Sequence, residues 1–175
     1  MTRAASRPRS HASTVVESPI GAIGIEATER GVRRVRLPGD AAHAAVTRDA
    51  GPPADTVAAA ASQLKDYLGG ERDVFDLALD WDGVDQLHRR VLETLCEVAP
   101  FGTTMTYGEL ARRTGVEDPR DIGVMMSRNP LPLVVPCHRV VAADGLGGYG
   151  GGLDLKRRLL ELEGSLPPRF DLGEV

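Results

Sequence analysis

The chain has 175 residues, of which 42% are hydrophobic and 26% charged, and these proportions are typical of an ordinary globular protein. Its formal net charge of −4 argues against binding nucleic acid through a bulk basic field, so any such contact must come from locally placed arginines. No apolar run approaches the roughly 18 residues that span a bilayer.

The cysteine content predicts free thiols in a reducing cytoplasm. Cys96 and Cys137 form no framework of paired spacings of the kind found in disulfide-rich secreted proteins. Cysteines and histidines nowhere cluster at metal-ligand spacing. We therefore predict neither a metal nor another cofactor.

The first third of the chain is predicted to hold strands and one helix. Residues 1–13 carry arginines without an apolar segment, which predicts a disordered arm and not a secretory signal. TVVESPIGAIGIEAT (14–28) contains two β-rich runs around a Pro-Ile-Gly turn, and GVRRVRLP (31–38) is a third predicted strand. TVAAAASQLKDYLGG (56–70) has apolar residues at helical spacing and ends in two glycines. VFDLALDW (74–81) is predicted to be a further strand.

From residue 84 onward the pattern becomes mainly helical. DQLHRRVLETLCEVAPFG (85–102) carries an amphipathic stripe closed by a proline. TYGELARRTG (106–115) combines a capping box with a terminal glycine, and PRDIGVMMSR (119–128) begins with a proline, so together they predict a helix-turn-helix. LPLVV (131–135) is predicted to be extended. A glycine-rich loop then precedes the last predicted helix, LDLKRRLLELEG (153–164).

This change of pattern predicts an α+β protein with a domain boundary near residue 83. We expect an N-terminal α/β domain with a small antiparallel sheet at 14–83. A mainly helical domain with the helix-turn-helix is expected at 84–165. Residues 166–175 are expected to be a tail.

The stretch VVPCHRVV (134–141) places a cysteine directly before a histidine. A cysteine attacks only as the thiolate, so it needs a base, and His138 is the nearest candidate for Cys137. Adjacent side chains diverge, which favours a bridging water, and several carboxylates are available to orient the histidine. The structural alternative is a core cysteine, because free cysteine is among the most buried residue types. For catalysis we expect an ionised sulfur that is exposed at the floor of a cleft sized for one everted purine.

Longer segments around this pair resemble one known family. NPLPLVVPCHRVV (129–141) and GYGGGLDLKRRLLELEG (148–164) are similar to the active-site segment of the O6-alkylguanine-DNA alkyltransferases, also called methylated-DNA–protein-cysteine methyltransferases. The resemblance continues upstream through PFGTTMTYGELARRTG (100–115) and covers roughly residues 84–165. It implies a ribonuclease-H-like sheet in the N-terminal domain and a winged-helix-like C-terminal domain.

The resemblance also implies roles for individual residues. Cys137 would accept the alkyl group, His138 would be its base through a water, and Glu163 would orient His138. Asn129 would tie the helix-turn-helix to the active-site turn. Tyr107 would press on the phosphate of the target nucleotide and donate a proton to the leaving base.

The implied DNA contacts lie on the helix-turn-helix and around the cysteine. Arg120 would fill the gap that a flipped base leaves in the duplex. The other implied DNA contacts are Thr106, Tyr107 and Arg128. The implied pocket residues are Met126, Val140, Tyr149, Gly150 and Lys156. Three residues after Arg120 are bulkier than those that relatives favour, namely Asp121, Val124 and Met125. We expect them to weaken DNA binding by about 1 kcal/mol.

The function implied is repair of O6-alkylguanine, and of O4-methylthymine, in duplex DNA by a monomer in the cytoplasm, with each molecule acting once. Three other hypotheses remain at this point. A non-catalytic alkyl-lesion binder is disfavoured because such relatives carry tryptophan in place of the cysteine. A helix-turn-helix regulator would leave the Cys-His pair unexplained. A cysteine hydrolase would need an oxyanion hole, for which the sequence shows no signal.

Overall fold

The computed structural model describes residues 10–40 and 51–168 and shows an α+β protein. The N-terminal sheet is an antiparallel meander of β1 (His11–Val16), β2 (Ile23–Thr28) and β3 (Gly31–Arg36), which confirms the three strands predicted there.

The predicted disordered arm, residues 1–13, is too long, because β1 already begins at His11. Residues 11–13 pair in register with residues 26–28 of β2, so the sheet extends to the end of its partner strand. Residues 1–9 of the predicted arm lie outside the described residues.

The register of β3 contains a β-bulge. Glu26 pairs with Arg34 and Ala27 with Val32, so that Arg33 is the extra residue of the bulged strand. Val32 also forms an isolated bridge with Leu79, because its N–H donates to the Ala78 carbonyl and its carbonyl accepts the Asp80 N–H. That bridge is the only β-pairing recorded within residues 74–81, so the prediction of a strand there was wrong.

Helix α1 (Pro52–Leu68) packs across the sheet. It begins four residues before the predicted stretch because prolines occupy its first two positions, where a missing N–H costs nothing. Its core-facing side chains are Pro53, Val57, Ala60, Leu64, Tyr67 and Leu68.

The remaining elements follow in chain order: α2 (Gln86–Val98), β4 (Met105–Thr106), α3 (Tyr107–Thr114), α4 (Pro119–Ser127), β5 (Val140–Val141) and α5 (Leu153–Leu162). The predicted capping box is present, since Thr106 and Glu109 bond reciprocally at the start of α3. Gly115 ends α3 in the left-handed conformation, with φ of 73°, and Asp118 caps α4. The two helices of the predicted helix-turn-helix are thereby confirmed.

One cluster of buried apolar side chains includes residues from β1–β3 and α1 as well as from α2–α5. The backbone joins the two halves too, because the N–H of Val35 in β3 donates to the carbonyl of Pro130 at 2.9 Å. Within the described parts of the chain, no helix has the length and apolar character needed to cross a bilayer.

Candidate active site

The segment before Cys137 is a tight buried turn and not the extended stretch predicted for LPLVV. Pro132 and Val135 form an isolated bridge, and Leu133 between them has φ of 74°, which is unusual for a residue with a side chain. Asn129 holds this turn closed. Its amide Nδ2 donates to the Val135 carbonyl at 2.9 Å, and its Oδ1 accepts the Leu131 N–H at 2.9 Å.

Cys137 begins a single 3-10 turn, Cys137–Arg139, that leads directly into β5. Strand β5 pairs in parallel with β4, with Met105 opposite Val140 and Thr106 opposite Val141. Because α3 begins immediately after β4, this pairing brings Tyr107 into the neighbourhood of the cysteine.

A cavity of about 580 Å³ opens at the cysteine, a size typical of small-molecule sites. Most of its lining is apolar. Its lining residues are Tyr107, Pro119, Arg120, Gly123, Met126, Ser127, Cys137, Gly148, Tyr149 and Gly150. The structure therefore brings together at one cavity the candidate nucleophile Cys137, the tyrosines and glycines around it, and Arg120, the arginine predicted to fill the gap left by a flipped base.

Other residues singled out from the sequence lie outside this lining. Val140 and Lys156 are fully buried behind the cavity. Arg128 and Asn129 line a second cavity of about 300 Å³, which also reaches Cys137. The Thr106 hydroxyl is engaged in the capping box of α3, where it donates to Glu109 Oε2 at 2.9 Å.

Glu163 at the end of α5 accepts hydrogen bonds from three side chains. His138 Nε2 lies 2.8 Å from its Oε1, and Arg139 donates to both carboxylate oxygens at 2.9 Å. The Tyr67 hydroxyl of α1 donates to Oε1 at 2.5 Å. Arg139 also donates to the Ala99 carbonyl at 2.7 Å, which braces the 3-10 turn against the end of α2.

These contacts fix the protonation of the pair. Burial would raise the pKa of Glu163, but hydrogen bonds from His138 and Arg139 outweigh it and lower the pKa to about 2. Burial lowers the pKa of His138 despite the neighbouring carboxylate, so its imidazole is neutral at pH 7. A neutral imidazole beside an ionised carboxylate donates its Nε2–H to it. Nδ1, which has no partner among the described residues, is then the nitrogen that can accept a proton.

The expectation of an ionised sulfur was wrong for the resting protein. Cys137 is only 6% exposed, and burial raises the pKa of its thiol, although a hydrogen bond from Asn129 and the charge of Lys156 partly oppose the shift. The thiol is therefore protonated at neutral pH. Such a thiol resists oxidation, and it can act as a nucleophile only after a base removes its proton.

Lys156 of α5 is a buried ammonium near the thiol. Its Nζ donates to the carbonyls of Val140 at 2.6 Å and Gly148 at 3.1 Å. Burial lowers its pKa to about 8, and the nearby Cys137 opposes that shift. Lys156 is thus still largely charged at pH 7 and ties the glycine-rich loop to β5.

Tyr107 packs closely against the glycine-rich loop. Its hydroxyl lies 3.4 Å from the Gly148 carbonyl, and a Cβ added at Gly147 would stand 2.9 Å from its Cε2. Gly147 also has φ of 67°, so this position requires glycine on both counts. Burial, followed by the charge of Cys137, raises the pKa of Tyr107, which keeps its hydroxyl a proton donor.

Helix α4 presents Arg120 beside the capping residue Asp118, at the mouth of the cavity. Val124 is 45% exposed on this helix, and Asp121 is exposed in its first turn. His88 of α2 anchors the other end of the helix, since its Nε2 lies 2.8 Å from the Met125 carbonyl.

Sequence reasoning missed Tyr67. It lies in a helix that was predicted only from its apolar spacing, yet a buried tyrosine hydroxyl needs a partner, and that requirement was the available signal. Cys96, assigned to the core from the sequence, is exposed on α2.

Comparison with known proteins agrees with this geometry. A family model described as "6-O-methylguanine DNA methyltransferase, DNA binding domain" matches residues 86–165. The methylated-DNA–protein-cysteine methyltransferase of Methanopyrus kandleri is 46% identical over 121 residues, which is 67% of this chain and 91% of that protein. The protein of the same name from Methanosarcina mazei is 37% identical over 153 residues, which is 85% of this chain and 94% of the relative.

Solved structures are similar as well. Mycobacterium tuberculosis OGT in complex with DNA superposes with a TM-score of 0.76 at 35% identity, covering 87% of this chain and 92% of that one. The O6-methylguanine-DNA methyltransferase of Pyrococcus kodakaraensis has a TM-score of 0.63 at 27% identity, over 89% of this chain and 99% of that one. With a relative 46% identical and matched over 91% of its own length, the chain belongs to the methylated-DNA–protein-cysteine methyltransferase family.

Proposed function

We propose that this protein repairs alkylated DNA by transferring the alkyl group from O6 of guanine to its own Cys137. The observation that carries the proposal is a thiol on the wall of a 580 Å³ cavity, directly before a buried His138–Glu163 pair. O4-methylthymine, which presents a similar alkyl-oxygen bond, is a second expected substrate.

The target base must leave the duplex, because an alkyl group on O6 lies within the base stack. Flipping a nucleotide costs a few kcal/mol, and least for a lesion that pairs badly. Arg120, exposed at the start of α4 and lining the mouth of the cavity, would occupy the vacated position in the stack. The flipped base would enter between Met126 and Tyr149, beside the backbone of Gly148 and Gly150.

Transfer then follows a balanced displacement. Through a water, His138 Nδ1 takes the thiol proton of Cys137, and Glu163 stabilises the resulting imidazolium. The thiolate attacks the alkyl carbon, so that a carbon–sulfur bond forms as the bond between this carbon and O6 breaks. The guanine leaves with the electron pair of that bond and takes a proton from the Tyr107 hydroxyl.

The buried charges favour the thiolate as it forms. Lys156 lies close enough to Cys137 for its charge to lower the pKa of the thiol, and the side chain of Asn129 lowers it as well. Both contacts act on a charge that exists only during the reaction, which is where such contacts accelerate it.

The product is a thioether, which has no reductive route back to a thiol, unlike a disulfide. Each molecule therefore acts once. We further propose that the active species is a cytoplasmic monomer. We also propose a ribonuclease-H-like domain at 11–83 and a winged-helix-like DNA-binding domain at 84–165, in which Thr106, Tyr107 and Arg128 contact the DNA backbone.

Intact-mass measurement after incubation with a duplex containing O6-methylguanine tests the proposal. We expect a gain of one methyl group, located on the peptide that contains Cys137, with no further turnover. The Cys137→Ala variant should gain nothing while still binding the lesion, and Cys96→Ala is the matched control that should react normally. Methylation of Cys137→Ala would move the chemistry elsewhere, and binding of the lesion by the wild type without any transfer would favour the non-catalytic alternative.

A further inference from the structure

The β-bulge in β3 exposes two consecutive arginines. In a regular strand, alternate side chains face opposite sides of the sheet, so one of Arg33 and Arg34 would face the core. Here Val32 and Val35 are buried on either side of them, and both arginines are exposed. The bulge therefore serves to place two guanidinium groups on the surface.

Neither guanidinium has a partner within residues 10–40 and 51–168. Six of the other twelve arginines in those ranges are paired with a carboxylate: Arg30 with Asp80, Arg36 with Glu26, Arg72 with Asp66, Arg89 with Glu93, Arg139 with Glu163 and Arg157 with Glu161. Arg34 faces Glu26 across the sheet, but that carboxylate is bound by Arg36 at 2.7 Å. In a chain of net charge −4, unpaired arginines are notable because acidic partners are in excess.

These arginines share a surface with Arg128 at the end of α4. Arg33, Arg34 and Arg128 line one groove of about 380 Å³ together with Pro130. The groove continues into the 300 Å³ cavity, which Arg34 and Arg128 also line and which reaches Cys137. The surface thus runs from the bulge of β3 to the proposed base pocket.

We propose that Arg33, Arg34 and Arg128 bind backbone phosphates of the DNA whose base enters the pocket, so that the N-terminal sheet is part of the DNA interface. This inference rests on the proposed function. Arginine forks suit phosphate oxygens, and contacts of this kind position a duplex without reading its sequence.

Two acids, Asp82 and Asp85, line the same groove, where the three arginines outnumber them. Asp82 lies 3.0 Å from the Arg30 guanidinium, and Asp85 caps α2 by accepting the His88 N–H. Asp40 lines the far side of the 300 Å³ cavity.

The test is the salt dependence of binding to an unmodified duplex, which requires no transfer and so is independent of whether Cys137 reacts. Each phosphate contact contributes about 0.9 to the slope of log K against log salt. The double variant Arg33→Ala/Arg34→Ala should lose about 1.8 from that slope, while Arg33→Lys/Arg34→Lys keeps it. The matched control Arg72→Ala/Arg89→Ala removes the same charge from ion-paired positions and should keep it too.

An unchanged slope in Arg33→Ala/Arg34→Ala would overturn the inference, and so would an equal loss in the control pair, which would indicate only a bulk charge effect. If the slope falls as expected but no methyl group is transferred to Cys137, the phosphate contacts of Arg33 and Arg34 are supported and the proposed function is wrong.

Discussion

Removal of the Tyr67 hydroxyl should alter both the stability of the protein and the pH dependence of transfer. In Tyr67→Phe the ring remains and only the donor to Glu163 Oε1 is lost. The fall of the Glu163 pKa from 4.5 to about 2 corresponds to roughly 3 kcal/mol, shared among donors from three side chains. The hydroxyl's share, and the expected loss of unfolding free energy, is about 1 kcal/mol.

The effect on the reaction follows from the charge that Glu163 presents to His138. With one donor fewer, the carboxylate interacts more strongly with the imidazole, so the pKa of His138 rises. The other groups around the imidazole are unchanged, namely Arg139, Lys156 and Cys137. More of the histidine is then protonated at mildly acidic pH and unable to act as a base.

Single-turnover transfer rates measured from about pH 5.5 to 8 check this expectation. Tyr67→Phe should be slowed most at the acidic end and least at the alkaline end. Phe75→Leu is the matched control, because the ring centroids of Phe75 and Tyr67 are 5.2 Å apart and Phe75 takes no part in the hydrogen bond to Glu163. It should lower stability and leave the pH profile alone. A Tyr67→Phe profile that superposes on the wild type, or an equal shift in Phe75→Leu, would refute the reasoning.

Two further predictions concern the acid behind the histidine and the arginine at the mouth of the cavity. Glu163 has a folded-state pKa of about 2, below its ordinary 4.5, so its contribution to stability is present above 4.5 and lost as pH falls through 2. Urea unfolding should therefore show Glu163→Gln to be about 3 kcal/mol less stable than the wild type at pH 7, with the gap narrowing toward pH 2; a constant gap would contradict the assignment. Arg120→Ala should slow transfer from duplex DNA about tenfold or more while reaction with free O6-benzylguanine is little changed; equal slowing of both would remove Arg120 from base flipping.

Much of the local structure followed from the sequence, because short-range hydrogen bonds decide it. The capping box of Thr106 and Glu109, the terminal Gly115 and the proline that begins α4 all behave as their chemistry predicts. The Cys-His pair marked the candidate nucleophile for the same reason, because it is a feature visible within a few residues.

Local patterns failed where tertiary contacts compete with them. The apolar run 74–81 has strand character, but only Leu79 of it pairs, in a single bridge with Val32 of β3. LPLVV is likewise apolar and β-rich, yet Asn129 folds it into a turn with Leu133 at positive φ.

The sequence by itself determined the helices, the first three strands and the identity of the candidate nucleophile. Only the tertiary structure decided which groups surround it, because Glu163 is 25 residues from His138 and Tyr67 is 71 residues from it. It also decided the protonation of the thiol, since the pKa of Cys137 depends on burial, which no neighbouring residue in the chain encodes.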